Sequence, residues 1–293
     1  MPATSFERMS VQTEAFTADD GENLTLRCWR PEGEPRAIVQ IAHGAAEHLR
    51  RYDRLARRLN ETGYAVIGAD HRGHGDNSEV HGLGEFGPRG FAGVVDDMAA
   101  VTRVAVKLFG ERPVVLLGHS LGSFASQAYL LDHANALSGL VLSGTAALDR
   151  LFASRASGGG LKRYNAAFEP ARTDFDWLSR DEAEVDLYIA DPLCGFDIKP
   201  GSMATVGETA MGASRDPRLA TARRLPVYVI SGEVDPIVGP DQAFAEALIE
   251  GYRQAGITDV EHRVYPQGRH EMFNETNRDE VMTELIAWLD AHV

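Results

Sequence analysis

Ser120 sits in Gly118-His119-Ser120-Leu121-Gly122, directly after the apolar run Val114-Val115-Leu116-Leu117. A serine hydroxyl attacks carbonyls poorly at neutral pH unless a histidine takes its proton and a carboxylate orients that imidazole. Both partners should follow in loops at the carboxyl ends of later strands. Asp235 lies in such a place, in Gly232-Glu233-Val234-Asp235-Pro236, with Glu233 its nearest competitor. Of the later histidines, His262 falls in mid-strand and His292 in the last helix, while His270 follows the final strand in Gly268-Arg269-His270-Glu271. The oxyanion of an acyl-transfer intermediate needs backbone donors. Leu121, opening a helix, supplies one N–H, and Ala45, after the strand ending at Ala42, supplies the other. His43 reads as a packing and hydrogen-bonding residue and His119 as a supporting neighbour of the serine. Asp70, His71, His74 and Asp76 also have a spacing that could bind zinc or manganese. The interleaved Arg72, Gly73 and Gly75 favour a tight structural loop instead, so neither metal nor cofactor is expected.

Presenting such a serine takes a strand, a sharp turn and a helix. The run up to Leu117 reads as the strand, and Phe124, Ala125, Ala128, Leu130 and Leu131 recur at helical spacing after it. Side chains at Gly118 or Gly122 would collide where strand and helix pass close to the turn. An opening hairpin is expected over Val11–Thr17 and Leu24–Arg30, followed by strands at Ala37–Ala42, Tyr64–Ala69 and Gly139–Gly144. Helices fall between them at Tyr52–Glu61 and Gly90–Phe109. After a break, strands return at Leu225–Gly232 and Val260–Tyr265, with helices from Pro240 to about Ala255 and over Arg278–His292. This alternation calls for a mostly parallel sheet covered on both faces. From Ala147 to about Pro217 the strand rhythm stops, and glycines (Gly158-Gly159-Gly160), aromatics and scattered charges take over. That segment, 147–217, is expected to be a helical cap inserted in a core made of 1–146 and 218–293.

With 44% hydrophobic and 25% charged residues the chain can bury a large core. Its formal charge of −14 excludes nucleic acid or an anionic membrane surface as an electrostatic partner. Cys28 and Cys194 are far apart and read as two buried free thiols. Glu7 and Arg8 stand where a leader would need an apolar stretch, and no apolar run is long enough to span a bilayer. The expectation is a cytoplasmic protein without stable membrane insertion.

Together these features resemble the α/β-hydrolase superfamily, and within it the monoacylglycerol lipase and lysophospholipase-like group. The resemblance rests on His43-Gly44-Ala45-Ala46-Glu47-His48 with Arg51-Tyr52, on Asp70-His71-Arg72-Gly73-His74-Gly75 and on the Ser120 pentapeptide. It extends to Leu178-Ser179-Arg180, Glu184-Val185-Asp186, Tyr188 and Asp191-Pro192-Leu193 in the cap, and to Gly268-Arg269-His270-Glu271. It implies hydrolysis of a carboxylic ester through an acyl-serine, with Ser120, Asp235 and His270 as triad and the Ala45 and Leu121 amides as oxyanion hole. It also implies that Glu47, Arg51 and Tyr188 bind the polar alcohol part of a monoacylglycerol- or lysophospholipid-like substrate; a salt bridge beside a core tyrosine is the alternative. The cap departs from the membrane-working pattern, because Leu148–Thr173 includes Asp149, Arg150, Arg155, Lys162, Arg163, Glu169 and Arg172. Such a segment penetrates a bilayer poorly, which favours soluble monoesters. Rival readings on the same triad are a small-substrate serine peptidase or amidase and an acyltransferase; a non-catalytic ligand-binding protein would leave a complete triad idle.

Overall fold

Strands that are apolar throughout must be covered on both faces, and five consecutive core strands here are buried along their whole length. They are β3 (Ala37–Ala42), β4 (Tyr64–Ala69), β5 (Val114–His119), β6 (Gly139–Ser143) and β7 (Val227–Gly232). The computed structural model describes residues 11–154 and 160–293. Met1–Ser10, read above for a leader, and Arg155, Gly158 and Gly159 of the inserted segment lie outside the described residues.

The hairpin β1 (Val11–Thr17) and β2 (Asn23–Trp29) joins these strands and β8 (Val260–Tyr265) in one eight-stranded sheet, ordered β1-β2-β4-β3-β5-β6-β7-β8. β2 runs antiparallel to β1 and to β4, and all the other pairings are parallel. Alternate residues of each strand enter opposite layers, as the pleat demands. Val115, Leu117 and Ile230 pack with Leu55 and Leu59 of α1 (Asp53–Glu61) and Leu285 and Leu289 of α8 (Arg278–His292). On the other face, Leu116, Leu140 and Leu142 meet α2 (Gly90–Phe109), α3 (Leu121–His133) and α7 (Ala243–Gln254). The structure is an α/β-hydrolase fold.

Between β6 and β7 lie α4 (Leu148–Ala153), a 3₁₀ segment at Leu161–Phe168, α5 (Glu182–Ala190), α6 (Pro200–Ala210) and two further 3₁₀ turns. Trp177, Val185 and Tyr188 from this insertion pack into the same core as α3 and α7. No helix among the described residues is long and apolar enough to cross a membrane.

Two local readings are corrected. The helix expected from Pro240 begins as α7 only at Ala243, because Asp241 and Gln242 stand at φ 49° and 64°. The Gln242 amide instead donates to the carbonyls of Gly232 (3.1 Å) and Glu233 (3.3 Å), anchoring the turn to the end of β7. Of the two thiols, Cys28 is buried but Cys194 is only partly so.

Candidate active site

Ser120 is the residue between β5 and α3, held at φ 51° and ψ −117°. A non-glycine residue at positive φ is strained and persists only where its surroundings over-determine it. Here the Ser120 N–H extends the β5–β6 ladder by donating to Ser143 O at 2.9 Å. Its carbonyl accepts from the Ser123 N–H (2.9 Å), the Phe124 N–H (3.2 Å) and the Ser123 hydroxyl (2.6 Å). A Cβ on Gly122 would run into the Ala42 and His43 carbonyls, and one on Gly118 would come within 2.6 Å of Gly122 O. Both glycines are therefore where the close passage of strand and helix requires them.

The acid and the histidine are pinned to each other by their loops. Glu233 N–H donates to Tyr265 O and Val234 N–H to Gly268 O, each at 3.0 Å, so the loop after β7 is laced to the loop after β8. On that frame His270 Nδ1 bonds Asp235 Oδ2 at 2.8 Å, with both side chains buried. Asp235 Oδ1 accepts from the Ile237 N–H at 2.9 Å. An ionised aspartate can only accept, so Nδ1 carries the proton and Nε2 presents its lone pair. That Nε2 is buried and makes no hydrogen bond with any described residue, so it is not bonded to the Ser120 hydroxyl in this structure. Resting sites of this kind are often looser than their substrate complexes. The two groups nevertheless share neighbours. A Cβ at Gly44 would lie 3.2 Å from the Ser120 Cβ and one at Gly144 2.7 Å from His270 Cε1, each also within 3.2 Å of the His119 ring.

Above the imidazole, Trp177 and His119 pack with ring centroids 4.7 Å from that of His270. Burial pushes the His119 imidazole down to about 4, aided by the neighbouring His270. The cap also grips the histidine loop through its backbone. His270 N–H donates to Trp177 O (3.3 Å), Glu271 N–H to Leu178 O (2.7 Å), and the Arg269 guanidinium to the carbonyls of Asp176 and Ser179. Sequence reasoning missed these contacts because nothing in the chain's periodicity says that the cap base meets the loop after β8.

The other expected residues fall as follows. Leu121, first in α3, has no intrahelical acceptor for its N–H, and the N–H of Ala45 donates to no described residue. Glu233 turns to the surface and accepts from the Gln267 N–H at 2.8 Å, which leaves Asp235 as the carboxylate on the imidazole. His43 Nδ1 bonds Gly44 O (2.8 Å) and Nε2 accepts from the His71 N–H (2.8 Å). His71 Nε2 bonds His43 O (3.0 Å), and His74 Nδ1 bonds Arg72 O (3.0 Å). Asp70 accepts from the Leu49 and Asp76 N–H groups, while Asp76 pairs with Arg27 and Arg50. Most of the ligand atoms of that histidine- and aspartate-rich loop are thus spent on structural hydrogen bonds and ion pairs, His74 Nε2 being buried without a partner among the described residues.

Glu47, Arg51 and Tyr188 converge, but inside the protein. Glu47 Oε1 accepts from the Gly44 N–H (2.5 Å) and the Tyr52 hydroxyl (2.8 Å), and its Oε2 from Arg51 Nη1 (2.7 Å). Arg51 then makes a two-pronged bond to Glu271 at 2.6 and 2.7 Å. Its guanidinium lies 4.8 Å over the Tyr188 ring. The cavity that Glu47, Arg51 and Glu271 line with Tyr52, His119 and Asn274 measures about 10 Å³.

The family model described as serine aminopeptidase, S33, matches residues 33–277. The chain is 30% identical over 286 residues to a monoacylglycerol lipase of Mycolicibacterium smegmatis, covering 95% of this chain and 97% of that protein. It is also 30% identical to a monoglyceride lipase of Mus musculus, covering 94% and 95% respectively. Among solved structures, a thermostable carboxyl esterase from Bacillus coagulans in complex with glycerol superposes with a TM-score of 0.84 at 27% identity, over 97% of this chain and 99% of that one.

Proposed function

From the premise that this chain belongs to the serine aminopeptidase S33 family of α/β-hydrolases, we propose that it is a serine hydrolase of monoacylglycerol-like carboxylic esters, with Ser120, Asp235 and His270 as its triad. The observation that carries the reading is the buried Asp235–His270 bond set against a strained serine at the mouth of α3. Near-full-length relatives named as monoacylglycerol and monoglyceride lipases support the ester class.

In this reading Ser120 Oγ attacks the ester carbonyl carbon and its proton passes to His270 Nε2. Asp235 holds the resulting imidazolium in place. The N–H groups of Ala45 and Leu121 take the oxyanion, Leu121 with the positive end of the α3 dipole behind it. The C–O bond to the alcohol then breaks, and His270 gives its proton to the departing oxygen. Water, deprotonated by the same nitrogen, cleaves the acyl-serine to release the acid and restore the serine. The charged cap surface, with Lys162 paired to Asp174 at 2.6 Å and Arg172 to Asp186 at 2.7 Å, supports dispersed monoesters over lipid packed in a bilayer.

Ser120→Ala is expected to lower turnover of p-nitrophenyl butyrate more than about a thousandfold while leaving the melting temperature unchanged. Retained turnover overturns the assignment. Because the family description names an aminopeptidase, matched ester and anilide substrates belong in the same assay, and faster cleavage of the anilide would replace the esterase reading.

A further inference from the structure

Two loops must hold register for the chemistry above: the one carrying Gly44 and Ala45, which offers an oxyanion donor, and the one carrying His270. No hydrogen bond joins them directly among the described residues. A chain of buried charges does. It starts at the Gly44 N–H, passes through both oxygens of Glu47 to Arg51 Nη1, and crosses by the paired Nη1 and Nη2 bonds to Glu271, whose backbone adjoins His270. The Glu47, Arg51 and Glu271 side chains are 4%, 11% and 6% exposed, so water does little to loosen the chain. Further bonds fix each carboxylate, from Tyr52 to Glu47 and from Asn274 to Glu271.

We infer that Arg51 and Glu271, acting through Glu47, are positioning residues that set the oxyanion loop against the histidine loop. The inference rests on the serine-hydrolase reading and extends it. Two observations favour this role over recognition of the substrate's alcohol. The cavity beside the cluster, about 10 Å³, holds about one water and no polyol. Glu47 and Arg51 also meet several protein partners each, at 2.5–2.8 Å. A planar guanidinium can span two carboxylates with a rigid fork, whereas an ammonium cannot. Errors of about 1 Å in such registers cost on the order of a hundredfold in rate.

The experiment compares wild type, Glu271→Gln and Arg51→Lys on p-nitrophenyl acetate, whose alcohol has no polyol, and on a monoacylglycerol. It also follows the rate at which a fluorophosphonate labels Ser120. Positioning predicts that kcat falls about ten- to a hundredfold by the same factor on both substrates, that KM stays within about twofold, and that labelling slows in parallel. A rise in KM confined to the monoacylglycerol overturns the inference in favour of alcohol binding. Unchanged kcat with only a lower melting temperature overturns it in favour of a purely structural pair. If Glu271→Gln fails to fold, Arg51→Lys, which keeps the charge and loses only the fork, decides among the same outcomes. Activity surviving in Ser120→Ala would instead strike the underlying reading and is told apart by that variant alone.

Discussion

At Ser120 a backbone conformation that costs on the order of 1–3 kcal/mol is held in place by the Ser143 carbonyl on one side and the Ser123 and Phe124 donors on the other. The positions of Ser120, Asp235 and His270, the triad proposed above, could be read from the sequence, because a serine between two glycines after an apolar strand, an acid after a later strand and a histidine after the last one come in a fixed order. Asp235 was the expected acid with Glu233, two residues away, its nearest competitor, and the structure turns only Asp235 to the imidazole. Arg51 and Glu271 were illegible as a pair, being 220 residues apart with nothing local to join them. Their electrostatics give a measurable sign. Burial alone pushes the Glu271 carboxyl up, but the Arg51 guanidinium outweighs it and holds the group at about 2, against an ordinary 4.5. A depressed carboxylate stabilises the fold above its unfolded value and loses that contribution as pH falls through the folded one. The difference in urea-unfolding free energy between wild type and Glu271→Gln should therefore be level from pH 8 to 5 and shrink steadily below about 4.5. A difference that stays constant down to pH 3 would contradict the pairing.

The elements around the serine depend on two close approaches, and glycine substitutions separate them from ordinary glycines. Gly122→Ala drives a methyl group into the Ala42 and His43 carbonyls, which neither strand nor helix can yield. It should destabilise by more than about 3 kcal/mol or prevent folding. Gly201, in the first turn of α6 with open space around it, is the contrast. Gly201→Ala should be neutral or stabilise by up to about 1 kcal/mol, as read by urea unfolding of both variants. The core elements were legible almost to the residue, since a strand buried on both faces is a continuous apolar run and α2 repeats its apolar positions over 20 residues. The cap was legible only as helical. Its α4 has six residues and its next segment is 3₁₀, too short for a period to emerge. The start of α7 was hidden for a different reason, the side chain of Gln242 competing for strand carbonyls.

Among the described residues, four histidines are enclosed without a full charge partner: His43, His71, His74 and His119. Burial lowers all of them, His43 far below 6.5, His71 to about 3, and His74 and His119 to about 4. A base depressed in the fold supports stability fully above its unfolded value and loses it as pH falls, because the unfolded chain takes up protons that the folded chain refuses. Each such group adds a slope approaching about 1.4 kcal/mol per pH unit below pH 6.5. The urea midpoint should accordingly decline between pH 6.5 and 5, before most carboxylates titrate, and a flat profile there would contradict neutral burial of these rings. A mostly parallel sheet covered on both faces followed from the alternation of strands and helices, whereas the order of the eight strands and the meeting of cap and histidine loop did not. That meeting limits how the enzyme can open. Since the carbonyls of Trp177 and Leu178 seat His270 and Glu271, lifting the whole cap like a hatch would unseat His270 at the moment a guest arrives. An entrance that leaves the bonds at 176–179 intact keeps His270 seated against Asp235 while a guest passes.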